Sequence, residues 1–291
     1  GGETMKRLSL AVLMYTCVMS QAWAQRDFSA VQIITHEVGG NIYMLEGSGG
    51  NIGVSVGSDG VLIVDNQYAP LADKIKAALG QLDSGELKFV LNTHHHGDHT
   101  GGNVIFGQIA TIVAHENVHG RVSTGDNAIK KSGWPVITYS TSASVHFNGE
   151  EIQLMHYSRG HTDGDGIVYF TGSNVVHMGD TFFNGQFPYV DLGSNGNVAG
   201  LINIISHVLT RIPPDITIIP GHGAIGNKSD LKTYFSMLME TTDLVRGHMA
   251  EGKTLDQIKA AGFPEKFEAM GEGFVTEERW IETIYNSYSA E

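Results

Sequence analysis

Residues 93–99 read Thr93-His94-His95-His96-Gly97-Asp98-His99, and this stretch decides how the rest of the chain is read. Just before it, Leu87, Phe89, Val90 and Leu91 form an apolar run bounded upstream by Ser84 and Gly85, the pattern of a buried strand. The histidines therefore stand at a strand's end. In extended backbone, residues two apart point the same way, so His94 and His96 can share one ion while His95 faces the other side. Gly97 lets the chain turn at little steric cost and brings Asp98 and His99 toward a second position. Imidazole and carboxylate donors at the spacing H-x-H-x-D-H predict a metal site rather than a chance polar loop.

Upstream, four short runs (residues 31–38, 41–46, 51–56 and 61–66) are punctuated by Gly39-Gly40, by residues 47–50 and by residues 57–60. This predicts an antiparallel meander. The fourth run is continuously apolar and ends abruptly at Asp65, which makes Asp65 a candidate to support a ligating histidine from behind, or else a turn residue. Leu71, Ile75, Ala78, Leu79 and Leu82 then recur at helical spacing, so a strand, a covering helix and the motif strand follow one another.

Downstream, residues 111–114 read as a strand and 116–131 as a helix, with His115 and His119 expected as surface histidines. Strands recur at 144–147, 151–157, 166–171 and 174–177, which builds a second sheet. Asn197 caps a helix reaching Thr210, residues 216–219 form another strand, and the chain beyond about 228 is helical.

Composition sets the frame. The chain has 291 residues with 41% hydrophobic content, enough for a sizeable core. Residues 1–4 read as an added remnant, and residues 5–24, with Lys6 and Arg7, an apolar stretch and Ala22-Trp23-Ala24, as a cleavable export signal. The expectation is a periplasmic or secreted protein, one domain over 25–291. Cys17, the sole cysteine, lies in that signal, so the mature chain offers neither a disulfide nor a thiolate ligand. Every ligand must be His, Asp or Glu. The net charge of −13 and the lack of a basic stripe disfavour nucleic acid and anionic membranes as partners and leave a small molecule as the substrate.

Three more segments end a strand in a potential ligand preceded by glycine: Gly160-His161-Thr162, Gly179-Asp180 and Pro220-Gly221-His222. Together with residues 93–99, in this order, they resemble the metallo-β-lactamase superfamily over roughly residues 31–225. The resemblance implies an α/β fold, a four-layer αββα sandwich with the metal site at the edge between two sheets. It also implies that His94, His96 and His161 hold a first ion, that Asp98, His99 and His222 hold a second, and that Asp180 bridges them. The ions implied are two Zn2+, and a thiolate-free set also suits iron or manganese.

From this follows an exported zinc-dependent hydrolase in which a metal-bridged hydroxide, oriented by Asp98, attacks a carbonyl carbon. A β-lactam is the first substrate to consider. Two departures count against it. Asp180 stands where thiolate-ligand β-lactamases carry Cys, and Phe183 where they carry an anchoring Lys. The alternative is a lactonase, esterase or thioesterase. Glyoxalase II itself is disfavoured by the acidic C-terminal part. An iron-dependent oxidoreductase such as a persulfide dioxygenase is the alternative of another class, against which the full set of seven ligand positions argues. Phe183, Phe187 and Tyr189 are the candidate substrate-binding residues, with Phe182, Tyr68 and Trp134 as further aromatics and Arg159 as a possible carboxylate partner.

Overall fold

The computed structural model describes residues 27–83, 85–125 and 128–289; the expected export signal lies outside them. The first sheet has seven strands in sequential order: β1 (Ile34–Gly39), β2 (Ile42–Glu46), β3 (Ile52–Gly57), β4 (Gly60–Val64), β5 (Leu87–Leu91), β6 (Thr111–His115) and β7 (Ile137–Tyr139). The first four strands are antiparallel, as the glycine-punctuated runs predict, and β4 to β7 are parallel. The change of direction coincides with the first crossover helix, α1 (Ala72–Leu82), because parallel neighbours need a connection longer than a hairpin turn. Two short helices, α2 (Gly97–Thr100) and α3 (Asn103–Phe106), follow β5, and α4 (Glu116–Ser123) follows β6.

The second sheet, in the order β13-β12-β11-β10-β9-β8, comprises β8 (Ser142–Phe147), β9 (Glu150–Met155), β10 (Ile167–Phe170), β11 (Val175–His177), β12 (Thr217–Ile219) and β13 (Gly226–Asn227). The helices α5 (Val198–Arg211), α6 (Lys228–Ala250), α7 (Leu255–Ala261) and α8 (Glu277–Ser289) complete the chain. Asn197 caps α5 as expected. Asn227 and Asp230 form a reciprocal capping box that starts α6.

Four layers follow from how the apolar residues divide. In β4, Leu62 and Val64 face the space between the sheets, where they meet Ile152, Leu154, Val168 and Phe170. Val61 and Ile63 face the other way, onto Leu71, Ile75 and Leu79 beside and within α1. Both faces being covered, β4 is apolar at every position. Beyond the second sheet, Leu201 and Ile205 of α5 pack with Leu238 of α6 and Trp280 of α8. This is the αββα sandwich.

Two local expectations fail. The helix predicted over 116–131 stops at Ser123, where Thr124 is extended and Gly125 takes a left-handed φ of 75°, ending the helical register. Strand β7 went unpredicted because three residues after Pro135 carry too little alternation to signal an edge strand.

Candidate metal centre

Every proposed ligand sits just past the carboxyl end of a strand or in the loop between β9 and β10, so both sheets deliver side chains to one edge. His94, His96, His161 and Asp180 bring one ligand atom each to within 4.8 Å of one another, and so do Asp98, His99 and His222. The Asp180 carboxylate lies between the two groups. One of its oxygens is 3.5 Å from His161 Nε2, 3.9 Å from His94 Nε2 and 3.4 Å from His222 Nε2, and the other is 3.0 Å from His99 Nε2. These spacings are near the edge of about 3.4 Å that tetrahedral coordination with zinc–nitrogen bonds of about 2.0–2.1 Å requires.

A tautomer can be assigned to each of four imidazoles because an outer partner holds its second nitrogen. His99 Nδ1 donates to Asp65 at 2.7 Å. His94 Nδ1 donates at 3.0 Å to the Thr93 hydroxyl, which itself donates to Asp65 at 2.7 Å. His161 Nδ1 donates to the Tyr189 carbonyl at 2.6 Å. His96 is reversed: its Nε2 donates to Asp191 at 2.9 Å, which leaves Nδ1 as the inward nitrogen. Fixing the remote N–H in this way turns the other nitrogen of His94, His96 and His161 toward one ligand group and that of His99 toward the other.

The fit to a cation rests on what is left without a partner. His94 Nε2, His99 Nε2 and Asp180 Oδ1 are buried and make no hydrogen bond, although His99 Nε2 and Asp180 Oδ1 are 3.0 Å apart. Orphaned buried polar atoms are costly, and these fit bound cations: His94 Nε2 belongs to one ligand group and His99 Nε2 to the other, with the Asp180 carboxylate between them. Burial pushes His94 well below its ordinary pKa and His161 down to about 4, so both are neutral donors at pH 7. Burial alone would raise Asp180, but His99, His222, His161 and His94 outweigh it and hold the carboxyl well below the usual range. For Asp98, likewise, His99 and His222 overcome burial and bring it to about 2.

Glycine is required where the packing is closest. A Cβ on Gly221 would lie 2.1 Å from Asp180 Oδ1 and 2.6 Å from the Gly179 backbone; one on Gly50 would lie 2.1 Å from the His99 ring. The glycine before His222 is thus a consequence of the carboxylate behind it.

The centre opens into a cleft of ≈ 710 Å³ lined by residues that include Tyr68, Asp98, Phe183, Tyr189, His222 and Phe274. Phe183 stacks on His222 with ring centroids 5.2 Å apart, and Tyr189 flanks His96 and His161. Phe183 and Tyr189 thus line the cleft, but Phe187 does not. It is 1% exposed and packs against Phe263 and Trp280, because the chain turns its ring toward the helices after Gly185. Phe182 is likewise buried, against Tyr234. Trp134 donates to the Ile129 carbonyl and packs beneath α4, and Arg159 lies at a separate depression. His115 is buried rather than on the surface: its ring caps α4 and donates to the Ser140 carbonyl.

Asp65, directly after β4, accepts from His99 Nδ1 and from the Thr93 hydroxyl. Asp191 is the residue that sequence reasoning missed. It lies 95 positions from His96 with no motif around it, and only the fold brings the two together. The only signal was the polar Asp191 directly after Tyr189 and Val190.

The family model described as the metallo-β-lactamase superfamily matches residues 37–227. The chain belongs to that superfamily. A hydroxyacylglutathione hydrolase of Polaromonas sp. is 30% identical over 161 residues, covering 54% of this chain and 57% of that protein. A probable hydroxyacylglutathione hydrolase of Schizosaccharomyces pombe is 31% identical over 180 residues, 60% of each chain. The match thus spans somewhat over half the length of these curated relatives. Among solved structures, a metallo-β-lactamase from Pontibacter korlensis superposes with a TM-score of 0.63 at 16% identity, over 72% of this chain and 99% of that one. At that identity the likeness is one of fold.

Proposed function

We propose that the chain is a metal-dependent hydrolase of thioesters and esters, with β-lactams at most minor substrates. The observation that carries the metal reading is that His94 Nε2, His99 Nε2 and Asp180 Oδ1, buried and without hydrogen bonds, belong to two adjoining His/Asp ligand groups. In this reading His94, His96 and His161 would hold one ion and Asp98, His99 and His222 a second, with Asp180 between them as a shared ligand; zinc there would polarise the substrate carbonyl and lower the pKa of a water toward about 7.

The side chains supply the rest. Asp98, ionised at neutral pH and lining the cleft, holds the attacking water by one of its protons and accepts that proton as the water adds. The Phe183 ring, flat on His222, keeps that side of the cleft apolar and positions the acyl group. A thiolate, with a conjugate-acid pKa of about 8.5, is a far better leaving group than an amine, whose nitrogen must take up a proton as it departs. This chemistry and the named activity of the curated relatives support thioesters over the β-lactam reading, and so give more weight to a glyoxalase II-like activity than the acidic C-terminal part suggested.

The test is a panel of an acylglutathione, an aryl ester, a lactone and a chromogenic cephalosporin, assayed with zinc-loaded protein and with His96→Ala as the control. A kcat/KM of about 10⁴ M⁻¹s⁻¹ or more on a thioester or ester is expected. The cephalosporin should lag by at least about a hundredfold; if it leads the panel, the β-lactamase reading replaces this one. Export to the periplasm belongs to the same proposal, and a mature N-terminus other than Gln25 would count against it.

A further inference from the structure

We propose that Arg279 is a specificity residue that binds an anionic group, a carboxylate, on the acyl part of the substrate. This deepens the hydrolase reading and rests on it. The guanidinium of Arg279 sits 5.1 Å from the Tyr189 ring centroid and 4.7 Å from that of Phe274, and these two rings meet edge-on at 5.8 Å. Both rings line the cleft. Arg279 itself is exposed, and among the described residues no carboxylate pairs with its guanidinium, although Glu277, Glu278 and Glu282 stand nearby in the sequence. Glu282 pairs instead with Lys259 at 2.6 Å.

The arrangement has the properties of a recognition group. Aromatic faces on two sides restrain the guanidinium plane and leave its N–H edge for a planar carboxylate, which Arg binds in two-pronged fashion. The charge is unusual for its place: the chain carries −13 overall, and the cleft's own charged side chains include Asp98 and Asp180. A cation held against two of the rings that line the cleft is what draws an anionic substrate to such a protein. The Tyr189 ring lies within 6 Å of both His96 and His161, so an anion held by Arg279 is one aromatic ring away from the reacting carbonyl. Phe274, 65% exposed, gains a role as the outer wall of this seat.

The seat is preformed. Phe187 N donates to the Met270 carbonyl at 3.1 Å, and the Phe187 ring stacks with Trp280, the neighbour of Arg279. The segment carrying Phe274 and Arg279 is thereby fastened to the loop carrying Phe183 and Tyr189. Phe274 and Arg279 lie beyond residue 227, outside the part of the chain that matches the family model, while Tyr189 lies within it.

The experiment compares two substrates of zinc-loaded protein, the S-phenyl monothioester of glutaric acid and its methyl-capped form, in wild type, Arg279→Gln and Arg279→Lys. Arg279→Gln should lower the kcat/KM ratio of free to capped substrate about tenfold, mainly through KM, and Arg279→Lys should restore part of it. An unchanged ratio overturns the proposal. Binding of 4-phenylbutyrate and of its amide to metal-free protein, followed by ligand-observed NMR, separates this from failure of the hydrolase reading. Weaker phenylbutyrate binding in Arg279→Gln supports the seat even if neither thioester is cleaved; equal binding in both proteins overturns it.

Discussion

Asp65 accepts a hydrogen bond from His99 Nδ1 at 2.7 Å with both side chains fully buried, and it does so from a left-handed backbone, φ 64°. The same carboxylate takes the Thr93 N–H at 2.8 Å and the Thr93 hydroxyl, so it fixes the loop that carries His94 as well as the His99 ring. A non-glycine residue is tolerated in that conformation because its side chain is what organises the turn. Asp65→Asn keeps the shape and removes the charge. It should weaken zinc binding by about ten- to a hundredfold, read by chelator competition; unchanged affinity would make Asp65 a folding residue only.

Asp191 is predicted to matter equally, for the other ion. Without it His96 loses the acceptor that sets its tautomer, and Nδ1 is no longer committed inward. Asp191→Ala should cost about ten- to a hundredfold in metal affinity or kcat, with near-native circular dichroism.

Gly221→Ala drives a methyl group against the Asp180 carboxylate and the Gly179 backbone, neither of which can retreat. Metal analysis should find this protein folded but depleted. By contrast, Gly247→Ala in α6, where a Cβ meets nothing within 4 Å, should stabilise by about 0.4–1 kcal/mol in urea unfolding.

Stripping metal should lower the melting temperature, since ions bind only the folded arrangement of ligands. At free metal about a hundredfold above Kd the loss is roughly 2.7 kcal/mol, or several degrees. Calorimetry with and without chelator measures it; no shift would mean that the site binds nothing under those conditions.

Trp280 is fully buried among α5, α6 and α8 and donates to the Thr241 hydroxyl at 3.0 Å. Trp280→Ala should cost about 3–5 kcal/mol. Trp280→Phe should cost less while leaving Thr241 without that donor, a difference that chemical denaturation resolves.

The sequence made the ligands legible because each one interrupts a strong local pattern. An apolar strand that runs into the histidine-rich loop at His94, or into a glycine just before His161, Asp180 or His222, is visible without any tertiary information. Asp65 was half legible for the same reason. Asp191 and Arg279 were not: one lies in an irregular loop, the other among glutamates on an amphipathic helix, and each acquires meaning only from a ring brought to it by folding. Phe187 shows the opposite error. Proximity in sequence to Phe183 suggested a shared role, but beyond the positive-φ turn at Gly185 the Phe187 ring packs on Phe263 and Trp280, whereas Phe183 lines the cleft. The second sheet could be read from its strands, while the end of α4 depended on a turn residue that period-counting ignores.

The segment Tyr189-Val190-Asp191 steadies His161 through a backbone carbonyl and His96 through a carboxylate, and it also presents the Tyr189 ring to the cleft. Recruiting new substrates by mutation is therefore lopsided. Changes on the Tyr189 side risk loosening the metal ligands along with the selectivity, so few are open to selection. The Phe274 and Arg279 side holds no ligand, and a lineage can explore it freely, which makes it the face on which relatives with this centre are expected to diverge.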